Sequence, residues 1–305
     1  MFKIPEKIAL ANLPTRIEKL ERLSIELGGP AIYIKRDDQT GTELSGNKVR
    51  KLEYSIKEAL DMGCDYLITC GGVQSNHCRA TAAAAVKLGL KCCLVLRGEN
   101  DAPAAGNLLL DRLLGAEVRF ITAEEYSDQR AEIMEGIKQE MEQKGFRPYI
   151  LPEGASNGIG GFGYYTAMEE IIEQEKALGI SFDCIVLSVG SGGTYSGLWL
   201  ANKLHKHPAE IYGINVGGDA EYFVGRISEI LYESMKYMEV SVPVAKDEIR
   251  IIDGYVGRGY ALSRPEELQF ISSLAGLEGV ILDPVYTGKA MYGLTEEIKK
   301  GTFKD

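Results

Sequence analysis

Short apolar segments alternate with amphipathic helical patterns along most of the 305-residue chain, and this alternation constrains the fold more than any other feature. Helices that separate successive strands imply parallel sheets joined by crossover connections. Most of the segments are apolar throughout, as expected when both faces of a sheet are covered. We therefore predict an α/β fold with open, twisted parallel sheets and flanking helices. The predicted strands are Tyr66–Cys70, Cys92–Leu96, Glu117–Ile121, Tyr149–Leu151, Cys184–Val189, Ile211–Val216 and Ile251–Gly254.

One helical pattern between these strands, Asn107–Leu114, is rich in leucine. It predicts an amphipathic helix whose apolar side is buried against a sheet or another helix. The residues expected on the buried side are Leu108, Leu109, Leu110, Leu113 and Leu114.

The glycine-rich stretch 152–163 (PEGASNGIGGFG) separates the first group of strands and helices from the second. Glycine-rich turns interrupt regular structure and also form ligand-binding loops, so a domain boundary and a site can coincide there. We predict a smaller α/β domain at 51–160, inserted into a larger domain formed by 1–50 and 161–305.

The net charge of −10 argues against a nucleic-acid partner, because a basic surface is needed to neutralise phosphates. A small anionic ligand is still compatible, since a few local donors can bind one. No stretch reaches the length of a membrane span, and the N-terminus lacks the apolar core of a signal peptide. The expected partner is a small molecule, with neither nucleic acid nor a membrane involved.

The six cysteines form no C-x-x-C pair, and five of them lie between residues 64 and 93. This spacing is not typical of a secreted disulfide framework or of a structural zinc site. We expect reduced thiols, a cytoplasmic protein and no metal. The cysteines are Cys64, Cys70, Cys78, Cys92, Cys93 and Cys184.

Lys48 lies in the segment Ser45–Lys51, at the start of a helical pattern that Asn47 can cap. The helix dipole disfavours a cation in the first turn, and a lowered lysine pKa favours the neutral amine that a Schiff base requires. The alternative is an ordinary surface lysine, and this segment alone does not decide between them. The buried side of the helix is predicted to contain Val49, Leu52, Ile56 and Leu60.

The segment Cys70–His77 connects a strand to the apolar helix Ala80–Leu88 through a glycine turn. Ligands bind at the carboxyl ends of strands in open α/β sheets, where helix N-termini offer N–H groups. Ser75, Asn76 and His77 are therefore candidates for a binding site. Alternatively, Ser75 or Asn76 only caps the helix, and His77 is an ordinary buried histidine.

The segment Gly190–Gly197 (GSGGTYSG) follows the strand Cys184–Val189 directly. Small residues before a helix allow the backbone to wrap around an anion. A dinucleotide motif starting at Gly190 would require glycine where Tyr195 stands, and the lysine of a nucleotide-binding P-loop is missing. The pattern thus favours a phosphorylated cofactor of another kind, with a flexible glycine turn as the alternative.

The segment Leu282–Lys289 (LDPVYTGK) opens the last predicted helix, and Pro284 stiffens its turn. Thr287 can be an N-cap and Tyr286 a core residue.

The motifs GNKVRK, GGVQSNHCRATAAA, GSGGTYSGL and LDPVYTGKA, in this order and spacing, resemble those of the fold-type II pyridoxal-phosphate enzymes, which share the fold of the tryptophan synthase β-subunit. The chain is most similar to the branch that contains D-cysteine desulfhydrase and 1-aminocyclopropane-1-carboxylate deaminase. The likeness extends from Ile34 to the C-terminal helix. It implies pyridoxal 5'-phosphate as cofactor and a homodimer.

The resemblance implies that Lys48 forms the Schiff base, that Asn76 hydrogen-bonds the phenolic oxygen of the cofactor, and that Thr287 faces its pyridine nitrogen. The phosphate would be held by Lys51 and by the loop Gly190, Ser191, Gly192, Gly193 and Thr194. The substrate carboxylate and amine would be surrounded by Ser75, Asn76 and His77. The implied catalytic set is Lys48, Ser75, Tyr286 and Tyr260, the last of which lies 26 residues before Tyr286.

Two positions separate the two activities of this branch. The deaminase has glutamate where this chain has Thr287, and a carboxylate there keeps the pyridine nitrogen protonated and strengthens the electron sink. It also has glutamine where this chain has His77. Both differences favour α,β-elimination from D-cysteine, giving pyruvate, ammonia and hydrogen sulfide, with Lys48 as the base that removes the Cα proton.

Three alternatives stay open at this point. The first is the cyclopropane deaminase itself, which forms 2-oxobutanoate and ammonia. The second is elimination from another β-substituted amino acid, such as L-cysteate or β-chloroalanine. The third is a non-enzymatic protein that keeps the fold and binds a phosphate ligand.

Overall fold

The computed structural model describes residues 2–99 and 104–303. All seven predicted strands are present, with small differences at their ends, and a short pair that the sequence did not predict precedes them. The strands are β1 (Ile17–Lys19), β2 (Tyr33–Lys35), β3 (Tyr66–Gly72), β4 (Lys91–Arg97), β5 (Glu117–Ile121), β6 (Pro148–Ile150), β7 (Cys184–Val189), β8 (Glu210–Asn215) and β9 (Arg250–Ile252). The α-helices are α1 (Glu21–Leu27), α2 (Lys48–Asp61), α3 (Asn76–Lys87), α4 (Gly106–Leu113), α5 (Ala123–Asp128), α6 (Arg130–Gln143), α7 (Gly158–Leu178), α8 (Gly193–His205), α9 (Ala220–Met238), α10 (Pro265–Glu278) and α11 (Thr287–Lys299).

The chain divides into two compact units. Unit 1 comprises residues 1–14, 37–163 and 233–239, and unit 2 comprises 15–36, 164–232 and 240–305. This division differs from the sequence-based one for residues 1–14, 37–50, 161–163 and 233–239, which lie with the first sheet. Residues 48–50 do so because they begin α2, which packs against α3. The domain boundaries at 51–160 stay a prediction.

Unit 1 contains a parallel sheet in the order β5-β4-β3-β6. Alternate residues of β3 point to opposite faces, as the period of a strand requires. Ile68 and Cys70 pack with Met134 and Ile137 of α6, whereas Leu67 packs with the apolar faces of α2 and α3. Both faces are therefore covered, which explains the continuous apolar runs of these strands.

Unit 2 contains a parallel sheet in the order β7-β8-β9 and a separate antiparallel pair, β1-β2. Ile214 and Val216, at the end of β8, pack against Ala290 of α11. A second core joins Leu23 of α1 to Leu274 of α10. These packings fix the N-terminal end of α11 near the carboxyl end of the sheet, because α11 contacts both β7 and β8.

The prediction for the leucine-rich helix is wrong for most of its leucines. Only Leu108 is fully buried, whereas Leu109, Leu110 and Leu113 are 40%, 40% and 72% exposed. A helix with 3.6 residues per turn buries only one stripe, and here that stripe contains Leu108 and Asp111, both on the side facing α3. The neighbouring leucines consequently face outward.

The glycines of 158–163 do not form a loop, which corrects the interpretation of this stretch as a glycine turn. They begin α7. A Cβ atom on Gly163 would lie 2.4 Å from the backbone C and O of Arg50, and one on Gly160 would lie 2.0 Å from the Ala155 oxygen. Gly163 therefore allows α7 to approach the first turns of α2, and Gly160 allows it to approach the preceding turn at Ala155, more closely than a side chain would permit.

The six cysteines are free thiols, as expected. Among the helices of residues 2–99 and 104–303, none is long and apolar enough to cross a membrane. The same ranges contain no group of three or more His, Cys, Asp or Glu side chains that could hold a metal ion.

Candidate active site

Lys48 is the first residue of α2, which confirms its predicted place in the first turn of a helix. The residue is half-buried. Asn47 occupies the N-cap position, but its side chain makes no capping hydrogen bond. The preceding loop is held instead by the buried Arg79, whose guanidinium donates to the backbone oxygens of Glu43 and Ser45 at 2.5 and 2.9 Å. Arg79, which belongs to α3, thus fixes the segment of chain that precedes Lys48.

Lys51, one turn after Lys48, is completely buried. Its ammonium donates to the Gly154 oxygen and to Ser156 Oγ, both at 3.1 Å. Burial, together with the nearby charge of Lys48, holds the pKa of Lys51 well below its usual range. Both hydrogen-bond partners of Lys51 are neutral oxygens, so no negative charge balances its protonated form. An anion beside Lys51 would supply that counter-charge and favour the ammonium.

Ser75 is the N-cap of α3, and its Oγ accepts a hydrogen bond from the Cys78 N–H at 3.2 Å. This confirms the capping role considered for it. The turn requires Gly71, because a Cβ atom there would lie 2.5 Å from Ser75 Oγ. Capping uses an acceptor lone pair of the Ser75 hydroxyl and not its proton, which a ligand could therefore accept.

The ring of His77 is 3% exposed. Thr69 Oγ1 lies 2.8 Å from His77 Nε2 and donates its one proton to the Leu151 oxygen at 2.9 Å, so Nε2 must carry the proton that joins the two side chains. Burial and the charges of Lys48 and Lys51 hold the pKa of His77 well below its usual range. His77 is therefore a neutral ring bound to β3.

Asn76 is half-buried, and its Oδ1 accepts a hydrogen bond from Asn107 Nδ2 at 2.9 Å. The sequence singled out Asn76 but missed Asn107 as its neighbour. Asn107 lies 31 residues further along the chain, and no periodic pattern connects the two positions. Within unit 1, then, the structure assembles Lys48, Lys51 and the Ser75–His77 turn around the start of α2 and α3.

In unit 2, the loop between β7 and α8 contains the predicted phosphate-binding residues. Gly192 has φ +85° and packs so tightly that a Cβ atom would lie 3.1 Å from Ile227 Cγ1. Gly193 and Thr194 form the first turn of α8, the part of a helix at which anions bind. The loop thus has the backbone form of an anion site.

Tyr260 and Tyr286 are brought together as their spacing in the resemblance implied. Their hydroxyl oxygens lie 2.5 Å apart, and the rings meet edge to face with centroids 5.9 Å apart. A Cβ atom on Gly190 would lie 3.2 Å from the Tyr286 ring. Because Gly190 has no side chain, the Tyr286 ring can pack closely against the loop 190–194.

Thr287 is the first residue of α11 and is exposed, whereas Tyr286 occupies the N-cap position. The suggestion that Thr287 is the N-cap is therefore wrong. The capping group is the Asp283 carboxylate, which accepts the N–H groups of residues 285, 286 and 287 at 2.7–3.0 Å. Thr287 Oγ1 donates to the same carboxylate at 2.5 Å, so the threonine hydroxyl lies against a carboxylate.

Lys289 was quoted in the last motif but received no role from the sequence. Its side chain is completely buried, and its ammonium donates to the backbone oxygens of Val256, Gly259 and Leu262 at 2.6, 2.8 and 3.1 Å. These three carbonyls belong to the loop that carries Tyr260. Lys289 consequently ties this loop to α11, one turn beyond Tyr286.

The chain is similar to several proteins of known name and to a solved structure. The chain is 43% identical to the bifunctional D-cysteine desulfhydrase/1-aminocyclopropane-1-carboxylate deaminase of Arabidopsis thaliana, a mitochondrial protein, over 96% of this chain and 73% of that one. It is 39% identical to the D-cysteine desulfhydrase of Yersinia pestis, over 98% and 90% of the two chains. It is 38% identical to the 1-aminocyclopropane-1-carboxylate deaminase of Rhizobium rhizogenes, over 98% and 91%.

A crystal structure of a 1-aminocyclopropane-1-carboxylate deaminase homologue superposes with a TM-score of 0.90 at 39% identity, covering 98% of this chain and 88% of that one. This supports the fold that the four motifs implied. The family model for pyridoxal-phosphate dependent enzymes matches residues 8–305. The chain therefore belongs to the pyridoxal-phosphate dependent enzymes of fold type II, in the branch of the D-cysteine desulfhydrases and 1-aminocyclopropane-1-carboxylate deaminases.

Proposed function

We propose that the protein catalyses α,β-elimination from D-cysteine, forming pyruvate, ammonia and hydrogen sulfide. The observation that carries the choice of substrate is Thr287, at the position assigned to the pyridine nitrogen. A hydroxyl there supports a weaker electron sink than a glutamate would. Loss of a thiolate from Cβ needs less stabilisation than opening a cyclopropane ring, so a hydroxyl suits the elimination.

The residues present fit pyridoxal phosphate. Lys48 would hold it through its amine and Asn76 through its phenolic oxygen. The buried Lys51, which has only neutral oxygens as partners, and the 190–194 loop are assigned to the phosphate, and Thr287 to the pyridine nitrogen. When bound, the cofactor supplies an electron sink for negative charge at the substrate Cα.

The side chains of the protein then have separate tasks in the proposal. Lys48 removes the Cα proton as general base. The Ser75 hydroxyl, whose proton is not used in capping α3, donates to the substrate carboxylate together with Asn76. His77, whose Nε2 is bound to Thr69, completes the set assigned to the surroundings of the substrate carboxylate and amine. Tyr260 and Tyr286 orient the substrate and can pass a proton between their hydroxyls.

Deamination of 1-aminocyclopropane-1-carboxylate is the second candidate. It is supported by the names of the Arabidopsis and Rhizobium relatives, one of which carries both activities. Two further predictions stay open: a homodimer, which the resemblance implies and sedimentation tests, and a cytoplasmic location, which the cysteine spacing suggested and cell fractionation tests.

The test is a keto-acid assay of the cofactor-loaded protein with D-cysteine, L-cysteine and 1-aminocyclopropane-1-carboxylate side by side. Pyruvate and sulfide from D-cysteine alone are expected. Lys48→Ala should abolish turnover, while Lys57→Ala, on the same helix and paired with Asp61, should retain it. Oxobutanoate as the main product, or turnover by Lys48→Ala, would overturn the proposal.

A further inference from the structure

Hydrogen bonds of three amide side chains of unit 1 join the 74–76 turn to the start of α4, and the last of these bonds reaches Asn76. It begins at Gln74, whose Nε2 donates to the Ala105 oxygen at 3.0 Å and whose Oε1 accepts from the Asn107 N–H at 2.8 Å. A backbone oxygen only accepts and a backbone N–H only donates. The orientation of the Gln74 amide is therefore determined by the backbone on both sides.

Asn107 is oriented in the same way. Its Nδ2 lies 2.8 Å from the Gln74 backbone oxygen and 2.9 Å from Asn76 Oδ1. The atom that faces a backbone oxygen must be the amide nitrogen, and its second proton then points to Asn76. The atom of Asn76 that meets this proton must accept, so it is the oxygen rather than the nitrogen.

The nitrogen of Asn76 is consequently turned away from Asn107. Within residues 2–99 and 104–303 it donates to no protein atom, although Asn76 is half-buried. The arrangement also depends on Gly106, whose φ is +57° and where a Cβ atom would lie 2.3 Å from Gln74 Oε1. The close approach of α4 to the 74–76 turn thus requires glycine at position 106.

We propose that Gln74 and Asn107 are positioning residues, which fix the Asn76 amide so that it offers Nδ2, a donor, to the phenolic oxygen of the cofactor. The inference rests on the proposed function, which assigns Asn76 to that oxygen. A free amide could turn over and present Oδ1, an acceptor, to an oxygen that carries negative charge. A fixed donor stabilises that charge and lowers the pH at which the bound cofactor loses its proton.

The test is a pH titration of the visible absorbance of the cofactor-loaded protein. Asn107→Asp replaces the donor with a carboxylate of equal size, which turns the Asn76 nitrogen toward itself and leaves Oδ1 facing the cofactor. The apparent pKa of the absorbance change should rise by about one unit. An acidic residue in the first turn of α4 is compatible with the helix, so the fold should be kept.

Asn76→Ala and the double variant Asn76→Ala/Asn107→Asp separate orientation from simple charge. Asn76→Ala should raise the apparent pKa, and adding Asn107→Asp should then raise it no further, because the effect passes through Asn76. An equal rise from Asn107→Asp in both backgrounds would mean a direct charge effect and would overturn the proposal.

The uncharged variant Asn107→Ala provides a second measure if the aspartate variant is unstable. It should shift the absorbance titration in the same direction by less, and weaken cofactor binding. If the apparent pKa of the absorbance change equals that of the wild type in both Asn107 variants but is raised in Asn76→Ala, Asn107 has no positioning role. That result would overturn the inference and leave the proposed function intact. Failure of the proposed function is seen separately, as turnover by Lys48→Ala.

Discussion

The Tyr260 and Tyr286 hydroxyls are 2.5 Å apart and share one hydrogen bond. One hydroxyl must donate to the other, so their donating capacity toward a substrate is that of a coupled pair rather than of two independent groups. Their rings also pack edge to face, which fixes the geometry of the pair. Removing either hydroxyl therefore alters what the other can do.

We expect Tyr260→Phe and Tyr286→Phe each to lower kcat by about 100-fold, the lower end of what a proton-transferring group contributes. The double variant should lose little beyond the worse single variant, because one coupled unit has already been broken. Steady-state kinetics with D-cysteine measure this. Strictly multiplicative losses would show that the two hydroxyls act independently.

Lys289→Met removes an ammonium that binds three backbone oxygens of the loop carrying Tyr260. Those buried carbonyls would lose their donor, and we expect the free energy of unfolding to fall by about 3 kcal/mol. Hydrogen exchange of 256–262 should accelerate and kcat should fall. The matched control is Lys299→Met on the same helix. The Lys299 side chain is 59% exposed, and its removal should leave the free energy of unfolding, the exchange rates and kcat nearly unchanged.

Gly163→Ala places a methyl group 2.4 Å from the Arg50 carbonyl, between α7 and the first turns of α2. Overpacking of this kind costs about 1–3 kcal/mol, and it displaces the turn that contains Lys48 and Lys51. Cofactor affinity should fall with stability, as measured by absorbance after dialysis and by urea unfolding. Gly136→Ala in α6, where a Cβ atom meets nothing within 4 Å, should instead stabilise by about 0.5–1 kcal/mol.

Strands of the parallel sheets such as β4 (KCCLVLR) and β7 (CIVLSV) could be predicted because each contains a run of apolar residues, which leaves a strong signal in the sequence. The pair β1-β2 could not, since each of its strands (IEK and YIK) is three residues long, includes a lysine and contains no such run. In the same way, Lys48 could be placed in the first turn of a helix from local pattern alone.

The positions that the sequence missed depend on contacts between distant residues. Asn107 meets Asn76 across 31 residues, and Lys289 meets the 256–262 loop across about 30. Asp111 takes a position on the buried stripe of α4 where an apolar residue would be expected. Side-chain hydrogen bonds of this kind leave no periodicity, so only the folded chain reveals them.

Asp111 gives a pH-dependent prediction. In the described ranges both of its carboxylate oxygens are buried and accept no hydrogen bond. Burial raises the pKa of Asp111 to about 7, against the charge of Arg79, which lowers it. The unfolded carboxyl titrates near 3.9, so the folded state binds the proton more tightly, and the free energy of unfolding decreases as pH rises from about 4 to about 7.

Asp111→Asn removes the titrating carboxyl group and with it the decrease in the free energy of unfolding between about pH 4 and pH 7. Its stability relative to the wild type should increase through that pH range and level off above it, at a gain on the order of 4 kcal/mol. Urea unfolding at pH 5 and pH 8 measures the difference. Asp61→Asn, which removes a carboxylate that is 61% exposed, is the control and should give a small change at both pH values. A gain for Asp111→Asn that is equal at the two pH values would contradict the prediction.

Thr287→Glu tests whether this position selects the reaction. A glutamate there would hold a proton on the pyridine nitrogen and strengthen the electron sink. We expect the ratio of cyclopropane deamination to D-cysteine elimination to rise by about tenfold, which corresponds to about 1.4 kcal/mol between the two barriers. The new carboxylate would lie beside Asp283, which now accepts the Thr287 hydroxyl proton at 2.5 Å, so some loss of stability should accompany it.

Thr287→Gln separates charge from size at this position, since it adds the same length without a carboxylate. It should lower D-cysteine elimination through loss of the hydroxyl but leave the ratio of the two activities close to that of the wild type. Product analysis by keto-acid derivatisation distinguishes pyruvate from 2-oxobutanoate in one assay. An equal change of the ratio in Thr287→Gln and Thr287→Glu would mean that shape rather than the protonation of the pyridine nitrogen separates the two reactions.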